Sequence, residues 1–572
     1  MDAVMGGPNL SRMRGRAGES EIGVWTLRSF LWENFDRSLT EGGFVRRTII
    51  FGAAVALLAG CVIGSLAGQA AASPRVSSAV VGGRAISHHS GSVALAGTVN
   101  VAKLPRVSPS AHRIVRIPLR RGPQSFSRAA SASPGGTATG GPLTTVSPGT
   151  PLSGALGDGD NLAVAGVQLT PPDMGFAANG TKEVELINLV GKIWTGTTPG
   201  TAFSLASFFS PGSPGDSLSD PWIKWDAGSG RFFAGILDIS LGGEIMAVSK
   251  TSDPSGTWFL YRIRYPSIAG GITGGGCPDQ GKGGVDSNVV GLGFNEFAVS
   301  GTPGCPSTAT FRGAGLEVFN KSQMLAGASV NFIFTDPMSG FFSLVPADTL
   351  TASATTEFFA SLNSGTGTAL HRVTSVGVPP ATVTLTALAD VTVPSYSNPP
   401  KAPQKGTTAK LDTGDDRTQN VVIAGTKMTV TATVGCKPSG DTTTRSCGRV
   451  YEVNNGSNTL TASRTIAKAG AYFFYPAATF LGTSTVGVSV GRSSSTTFGS
   501  LYTTAGKWGG TLTAPVQVKA GTAANTTKRY GDYFAAAPQP GTTNQFWVAG
   551  EIGGSSGSKL KWNTAAGPVT AS

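Results

Sequence analysis

Aspartate recurs in turns that precede strand-like runs, and its carboxylate could bind a cation or a cationic ligand. The positions are Asp173, Asp220, Asp286, Asp416 and Asp532. Hard cations such as Ca²⁺ take carboxylate and carbonyl oxygens as ligands. In separate Asx turns the same side chains would only accept hydrogen bonds from loop N–H groups. We therefore predict a ligand site where the five aspartates meet, with loop capping as the alternative.

The segment 411–417, LDTGDDR, has the densest group of carboxylates. It contains Asp412, Asp415 and Asp416. These three residues are our candidate for a structural calcium site, although the segment lacks the Gly and the distal Glu of an EF-hand loop. The sequence predicts no other cofactor.

The small number of histidines argues against nucleophilic catalysis. The chain has four His, and His371 is the only one after residue 155. Any Ser–His–Asp or Cys–His mechanism in the folded part would depend on it. Because it lies in the strand-like run ALHRVTSV, we expect a hydrogen-bonded structural residue.

The cysteines indicate export rather than catalysis. Beyond Cys61, four cysteines form two local pairs, and the predicted disulfides are Cys277–Cys305 and Cys436–Cys447. This is one of the three connectivities that four cysteines allow. Disulfides persist outside the cytoplasm. Zinc is disfavoured because the sequence has no C-x-x-C motif and no His near the pairs.

A pair of carboxylates could still hydrolyse a glycosidic bond. Such enzymes hold two carboxyl groups roughly 5 Å or 6.5–9.5 Å apart. The run 251–258, TSDPSGTW, is similar to the Asp box of sialidases with its Gly displaced by one position. That box is a turn, so we expect a structural role for Asp253.

The elements that must position these residues are short strands. From about residue 156, apolar runs such as RFFAGILDI and MTVTATVG recur between Gly, Pro, Asp and Asn. They group into units of about 50–60 residues, the size of propeller blades. We predict an all-β fold, a single β-propeller with about seven four-stranded blades, with six or eight possible. Strands in 531–565 should pair with strands in 183–208 to close it, and two β-sandwiches are the rival fold.

The net charge of +12 comes mainly from the segment before the propeller. Residues 73–150 contain nine Lys or Arg and no Asp or Glu. A nucleic-acid-binding protein should instead have a basic face on its folded domain. We therefore exclude nucleic acid as a partner and expect a monomer.

Three interpretations of residues 46–72 are open, and each places the rest of the chain outside the cytoplasm. Ala70 and Ala72 form an A-x-A signal peptidase site. Leu58–Cys61 resembles a lipobox, which would place a lipid on Cys61. Uncut, residues 48–68 could span a bilayer as an anchor.

These observations divide the chain into four parts. Residues 1–45 are a cytoplasmic tail or a wrongly assigned start, and 46–72 are a signal peptide or transmembrane anchor. Residues 73–155 are a disordered basic linker rich in Ser, Pro and Gly, and 156–568 are the propeller. We predict an extracellular or cell-surface location, with a membrane contact if the anchor is retained or lipidated.

Several motifs resemble a family of exported bacterial β-propeller proteins, most of them without an assigned activity. The motifs are PPDMG (171–175), SDPWIKWDAGSGRFF (219–233), TSDPSGTWF (251–259), GAGLEVFNKSQMLAG (313–327), LDTGDDR (411–417) and RYGDY (529–533). They keep the order of the family across most of the folded part. The resemblance implies a surface or released propeller and implies no reaction.

Two functions of different classes remain. The first is a non-enzymatic binding module whose loop face takes a surface glycan, a peptide or a protein. The alternative is an exported glycoside hydrolase that uses two carboxylates at the channel mouth. We favour binding because His371 is expected to be structural and the cysteines are expected to be paired, which leaves no usable His or Cys for catalysis.

Overall fold

The computed structural model describes residues 83–104, 113–116, 130–131, 143, 145–211, 217–265, 276–298, 309–351, 353–362, 367–554 and 560–572. Every described residue belongs to the compact unit Ala72–Ser572. The predicted signal or anchor segment 46–72, with Cys61, lies outside the described residues. Among the residues that are described, no helix has the length and apolar character needed to cross a membrane.

Most of the regular structure is antiparallel β-sheet, and we number the sheets I to VII by the order of their first strands. Sheet I comprises Gly175–Ala178, Lys182–Ile187, Val190–Thr195, Thr198–Pro199 and Phe203–Ser204. Sheet II comprises Leu218–Asp226, Arg231–Asp238, Gly243–Ser249 and Thr257–Arg264. Sheet III comprises Gly276–Val285, Val289–Ala298, Thr310–Asn320 and Val330–Phe334.

The remaining sheets follow the same order along the chain. Sheet IV comprises Val345–Pro346, Thr356–Leu362, Ala369–Val376, Thr384–Ala387 and Val391–Thr392. Sheet V comprises Thr418–Ala424, Lys427–Lys437, Arg445–Asn454 and Thr459–Ile466. Sheet VI comprises Tyr472–Leu481, Thr485–Ser494, Thr497–Lys507 and Val516–Lys519. Sheet VII comprises Ala535–Pro538, Gln545–Gly553 and Trp562–Ala571.

A few short elements lie between or beside these sheets. Asp348–Thr349 pairs in parallel with the first strands of sheets III and V. Arg113–Arg116 pairs in parallel with Val167–Thr170, and Ala130–Ser131 pairs with Lys427–Lys437. The helical segments are Val101–Lys103, Asp158–Asp160, Asn161–Ala165, Leu205–Phe209 and Lys321–Ala326.

Inner strands are buried on both faces, which explains why their sequences are apolar runs without alternation. Gly243–Ser249 is buried at every position, and Arg231–Asp238 at every position but the first. Apolar clusters fill the spaces between consecutive sheets from I to VII. A further cluster, with Phe176 and Trp547, fills the space between sheets VII and I. The fold is therefore β-propeller-like, as the sequence predicted.

Residues 84–100 correct the prediction of a disordered linker over 73–155. Three short strands add an outer edge to sheets IV, III and II in turn: Arg84–Ala85, His89–Val93 and Gly97–Asn100. The segment carries single apolar side chains, such as Ile86 and Val99, rather than the long apolar runs of the inner strands. Its strands are held by backbone hydrogen bonds to the outer strands of these sheets and by those apolar side chains, which join the clusters between sheets.

The predicted closing pair is also corrected. The last strand, Trp562–Ala571, pairs with Val146–Pro148, which comes from the predicted linker and forms the outer strand of sheet VII. Residues 183–208 instead meet sheet VII through side chains in the apolar cluster that contains Trp194.

One predicted disulfide is confirmed. Cys436 and Cys447 are bonded, with their Cα atoms 6.0 Å apart, and they join neighbouring strands of sheet V. Cys277 is also disulfide-bonded, whereas its predicted partner Cys305 lies outside the described residues.

Because Val99 buries its side chain between sheets I and II, the edge strands should contribute to stability. Val99→Ala removes two buried methyl groups and should lower the free energy of unfolding by about 1–3 kcal/mol. Urea denaturation of the full chain measures this value. The matched control is Thr98→Ala, since Thr98 is exposed and its change should stay within about 0.5 kcal/mol. Equal, small effects of both substitutions would mean that 97–100 is not packed on the sheets.

Candidate functional site

Three of the five predicted aspartates lie together, at the start of the first strands of sheets I, II and VII. Asp173, Asp220 and Asp532 have φ values of 44°, 56° and 102°. This left-handed backbone is uncommon outside glycine. It turns the chain into each first strand and brings the three side chains into one buried group.

Each of the other four sheets has one residue at the corresponding position, at or before its first strand. These residues are Gln280, Ser343, Gln419 and Tyr475. In sheets II, III, V and VI the position coincides with a bulge in the first strand. A bulge redirects a side chain, so the repeated backbone irregularity aims these residues toward the common centre of the first strands.

Asn188, in the turn after the second strand of sheet I, holds two of the aspartates in place. Its Nδ2 donates to Asp173 Oδ2 at 2.7 Å, and its Oδ1 accepts from the backbone N–H of Asp220 at 3.0 Å. Asp220 Oδ2 in turn accepts from the N–H of Gln280 at 3.2 Å. Sheets I, II and III are thus linked by one chain of hydrogen bonds at the site.

Two arginines compensate the negative charge. Arg529 Nη2 lies 2.5 Å from Asp532 Oδ2, and its Nη1 lies 3.4 Å from Asp412 Oδ2. Arg417 binds Asp415 through two nitrogens, at 2.6 and 2.8 Å, and also donates to Gln280. Bidentate guanidinium–carboxylate pairs are strong and fixed in direction.

Burial shifts the pKa values of several residues in this group. It raises the pKa of Asp173 well above its usual range, and the charges of Asp532 and Asp220 raise it further. The raised pKa of Asp173 favours its uncharged form beside these neighbouring carboxylates. Burial also raises the pKa of Asp532 and lowers the pKa of Lys282 to about 7. The ammonium of Lys282 lies over the ring of Tyr533.

A small polar cavity adjoins the group along the first strands. Its volume is about 60 Å³, and Lys282, Gln419 and Tyr533 contribute to its wall. Both polar atoms of the Gln419 amide, and Asp532 Oδ1, are buried without a hydrogen-bond partner among the described residues. Buried polar atoms are nearly always satisfied, so these atoms face water or a ligand. The volume suits about two water molecules and is too small for a sugar ring.

The group is open to solvent on one side. The exposed fraction of the side chain is 15% for Asp532 and 50% for Lys401, which lies 3.7 Å from Asp412. Asp173, by contrast, is 1% exposed. The accessible edge of the group therefore lies at Asp532 and Lys401, beside the buried Arg529 and Asp412, and we call these four residues the channel mouth.

Asp286 does not join the group, which corrects the prediction of a ring of five. It lies at the other end of the first strand of sheet III, where its Oδ1 accepts from the N–H groups of Asn288 and Val289 at 2.7 and 2.6 Å. Asp286 comes after the first strand of sheet III, whereas Asp220 lies near the start of the first strand of sheet II. The two residues therefore lie at opposite ends of their strands. Asp286 is the turn cap that the alternative interpretation described.

The calcium site predicted at Asp412, Asp415 and Asp416 is also corrected. No three His, Cys, Asp or Glu side chains in the described part of the chain are grouped so that they could hold a metal ion. The reason is that the three carboxylates have different neighbours. Asp412 and Asp415 face arginines, and Asp416 lies beside Tyr396 and Tyr451.

Asp253 and His371 make local structural contacts, as expected. Asp253 accepts from the N–H and hydroxyl of Ser255, at 3.0 and 2.6 Å, within the turn that resembles an Asp box. His371 lies in a strand of sheet IV and its Nδ1 is 2.5 Å from Asp390 Oδ1. Neither residue contacts the group around Asp173.

Comparisons with known proteins add little. No protein-family model and no curated protein matches the chain. Among solved structures, the catalytic domain of a GH62 α-L-arabinofuranosidase from Coprinopsis cinerea has 11% sequence identity and a TM-score of 0.26, and the match covers 49% of this chain and 90% of that chain. A PL25 ulvan lyase has 11% identity and a TM-score of 0.33, and the match covers 74% of this chain and 94% of that chain. The endosialidase of phage phi92 has 6% identity and a TM-score of 0.35, and the match covers 74% of this chain and 69% of that chain. Scores this low carry no argument about this chain.

The basic and amide members of the site were not predicted from the sequence, namely Arg417, Arg529, Lys282 and Asn188. Two of them, Arg417 and Arg529, lie within the motifs LDTGDDR and RYGDY. An arginine two or three residues from an aspartate in a turn was therefore a usable signal. Nothing in the sequence indicated Asn188, because its role depends on the packing of sheet I against sheet II.

Glu244 of sheet II is a buried acid next to this group. Its carboxyl group accepts from Trp222 Nε1 at 2.7 Å and from Tyr265 Oη at 3.3 Å. Gly283 of sheet III permits this arrangement, because any Cβ there would collide with the Trp222 ring. Burial raises the pKa of Glu244 to about 8.

Stability should therefore fall as the pH rises from 5 to 7. Glu244 stays protonated in the folded chain and ionises in the unfolded chain, so the folded state binds more protons. Each such group costs about 1.4 kcal/mol of unfolding free energy per pH unit. The window avoids Lys282, whose lowered pKa acts in the opposite direction above pH 7. Glu244→Gln should flatten the decline in melting temperature, and a slope equal to that of the wild type would contradict the assignment.

Proposed function

We propose that the seven sheets are the blades of one closed β-propeller. First strands contact each other from sheet to sheet, and that of sheet VII contacts that of sheet I. Apolar clusters occupy all seven spaces between sheets, including the one between VII and I. The cavity beside Gln419 has wall residues from the first strand of every sheet or from the residues next to it. Val146–Pro148 then completes the last blade with a strand from the opposite end of the domain.

Closure by this strand can be tested at Val146, which is 8% exposed, next to the exposed Ser147. Val146→Asp places an unpaired charge in the cluster between sheets VI and VII. It should lower the free energy of unfolding by about 2–4 kcal/mol, measured by chemical denaturation. Ser147→Asp is the matched control and should cost much less. A small effect at Val146 would show that sheet VII does not need this strand.

We propose further that the protein is an exported binding module that takes a glycan at the channel mouth. The observation that carries this proposal is the convergence of Asp173, Asp220 and Asp532 with Arg529 around unsatisfied polar atoms. Carboxylates accept hydrogen bonds and guanidinium groups donate them. A sugar hydroxyl can do both, so neighbouring hydroxyl groups match alternating acceptors and donors.

A neutral ligand suits the charges of the mouth. Asp532 pairs with Arg529, and Asp415 pairs with Arg417, so these charges already compensate each other. A strongly charged ligand would leave one partner of a buried pair uncompensated, which is costly. The cavity below is too small to admit a sugar ring, so the glycan would lie across the mouth rather than enter the channel.

The same geometry does not favour the glycoside hydrolase. Asp173 is held by a hydrogen bond from Asn188 and Asp220 by one from the backbone N–H of Gln280, so both carboxylates already serve to link the sheets. Asp173 is also shielded from solvent. A hydrolase would have to use Asp532, whose carboxylate is already paired with Arg529.

Binding of the full chain to a panel of soluble neutral polysaccharides, namely xylan, mannan and an α-glucan, tests this proposal. We expect one of them to bind in isothermal titration calorimetry. Asp532→Asn should then weaken binding at least tenfold, because it removes an acceptor at the mouth and unbalances Arg529. Gln419→Ala serves as a second variant that leaves the ion pairs intact.

The matched control is Asp253→Asn, which removes an exposed carboxylate in a turn of sheet II. It should bind as the wild type does. Equal affinity of Asp532→Asn and the wild type, at unchanged melting temperature, would exclude the channel mouth. Release of reducing sugar from a bound polysaccharide, lost in Asp532→Asn, would instead support the hydrolase.

A further inference from the structure

A second and larger cavity lies away from the channel, between the outer parts of sheets I and II. Its volume is about 480 Å³, within the usual range of about 300–1,000 Å³ for small-molecule sites. Its wall comes from sheet I, from the turn 251–258 of sheet II, and from the segment that follows the edge strand Gly97–Asn100. The proposed glycan function does not use this cavity.

The cavity exists because the outer strand of sheet I is split. Thr198–Pro199 pairs with Trp194 and Thr195, and Phe203–Ser204 pairs with Val190 and Gly191. Gly200 still donates its N–H to Ile193 O at 2.8 Å, whereas Thr201 and Ala202 lie outside both strand pieces. Sheets II, III and IV each gain an edge strand from residues 84–100, whereas in the described part of the chain sheet I gains none. Among the described residues, nothing takes the place of a continuous outer strand there.

The inner wall of the cavity is apolar. Val101, Leu104, Ile193 and Phe203 line it. A narrow apolar extension of about 10 Å³ continues from Ile193 and Phe203 toward Trp258, between the two sheets. The walls are held in place, since the N–H groups of Val101 and Ala102 donate to carbonyls of the turn 251–258, each at 3.0 Å.

The rim carries a cation and several hydroxyl groups. Lys182 Nζ donates to Thr195 Oγ1 at 2.8 Å, and Ser255 and Thr201 line the same rim. Asp253 is close enough for Lys182 to contribute to the lowering of its pKa, although its hydrogen bonds with Ser255 contribute more. An ammonium group has three donors. With one used by Thr195, Lys182 can still donate to an anion at the rim.

We propose that this cavity binds a small amphipathic anion, with its apolar chain or ring against Ile193 and Phe203 and its carboxylate or sulfonate at Lys182. The apolar wall supplies burial, at about 25 cal/mol per Å² of apolar surface removed from water. The cation fixes the orientation of the ligand. Both features are needed, so neither a neutral sugar nor an apolar cation fits the site.

The probe for the test is 1-anilinonaphthalene-8-sulfonate, which has an aromatic body and one sulfonate. Its fluorescence should rise on binding to the folded full chain. Decanoate should displace it, whereas decyltrimethylammonium, with the same chain length and the opposite charge, should not. Equal displacement by both would overturn the proposal, because it would show apolar binding without a role for Lys182.

Two variants locate the site. Lys182→Ala should weaken probe binding at least tenfold, and Ala202→Trp should abolish it by filling the cavity. The matched control is Lys250→Ala, which removes an exposed lysine of sheet II outside the cavity and should bind as the wild type does. Wild-type affinity in Lys182→Ala would overturn the proposal even if Ala202→Trp failed to fold. Because neither variant touches the channel mouth, glycan binding should survive in Lys182→Ala.

Discussion

Each sheet of this protein has two apolar faces to bury, and a sheet with both faces apolar needs a neighbour on each side. Strands such as Gly243–Ser249, buried at every position, have no face that could be left to water. The apolar clusters between consecutive sheets meet this need for I to VII, and the cluster around Trp547 and Trp562 meets it between VII and I. The first strands consequently converge, and the polar residues at their starts are forced together.

The charged group is the consequence of that convergence. Carboxylates brought this close cannot all ionise unless cations lie beside them. Arg529 and Arg417 supply the cations, and burial, which raises the pKa of Asp173, favours the uncharged form of that carboxyl group. Losing one member of such a group leaves an uncompensated buried charge, which is more damaging than losing the whole pair. The group therefore fixes how the sheets meet, while its open side at Asp532 and Arg529 stays available to a ligand.

What the sequence could predict follows from the same physics. Apolar runs of strand length predicted the all-β fold because burial on both faces leaves its mark on every inner strand. The pair Cys436–Cys447 was predictable since its strands are neighbours along the chain. Asp173, Asp220 and Asp532 lie together because each is at or just before the start of the first strand of its sheet, and their role as a ligand site stays a prediction.

The failures concern contacts that have little or no local signal. Asp286 follows its strand, and an aspartate in a turn does not reveal which end of a strand it marks. The edge strands in 84–100 are held by hydrogen bonds to sheets II, III and IV, so their own residues, such as HSGSV, need no apolar pattern. Asn188 acts only through the packing of sheet I on sheet II. Interactions between distant segments therefore determine the missing parts of both the fold and the site.

Sheet I has a part in both proposed sites, and its irregular outer edge explains why they differ. At the inner end, Asn188 closes the space with hydrogen bonds and leaves a cavity for about two water molecules. At the outer end, the split strand leaves a wide space with an apolar wall that no other described strand covers. The first site offers mainly buried charged groups, whereas the second offers an apolar wall with Lys182 at its rim. Under the two proposals, one irregular sheet has a part in two places of different chemistry, and substitutions at Asp532 and at Lys182 should act on separate ligands.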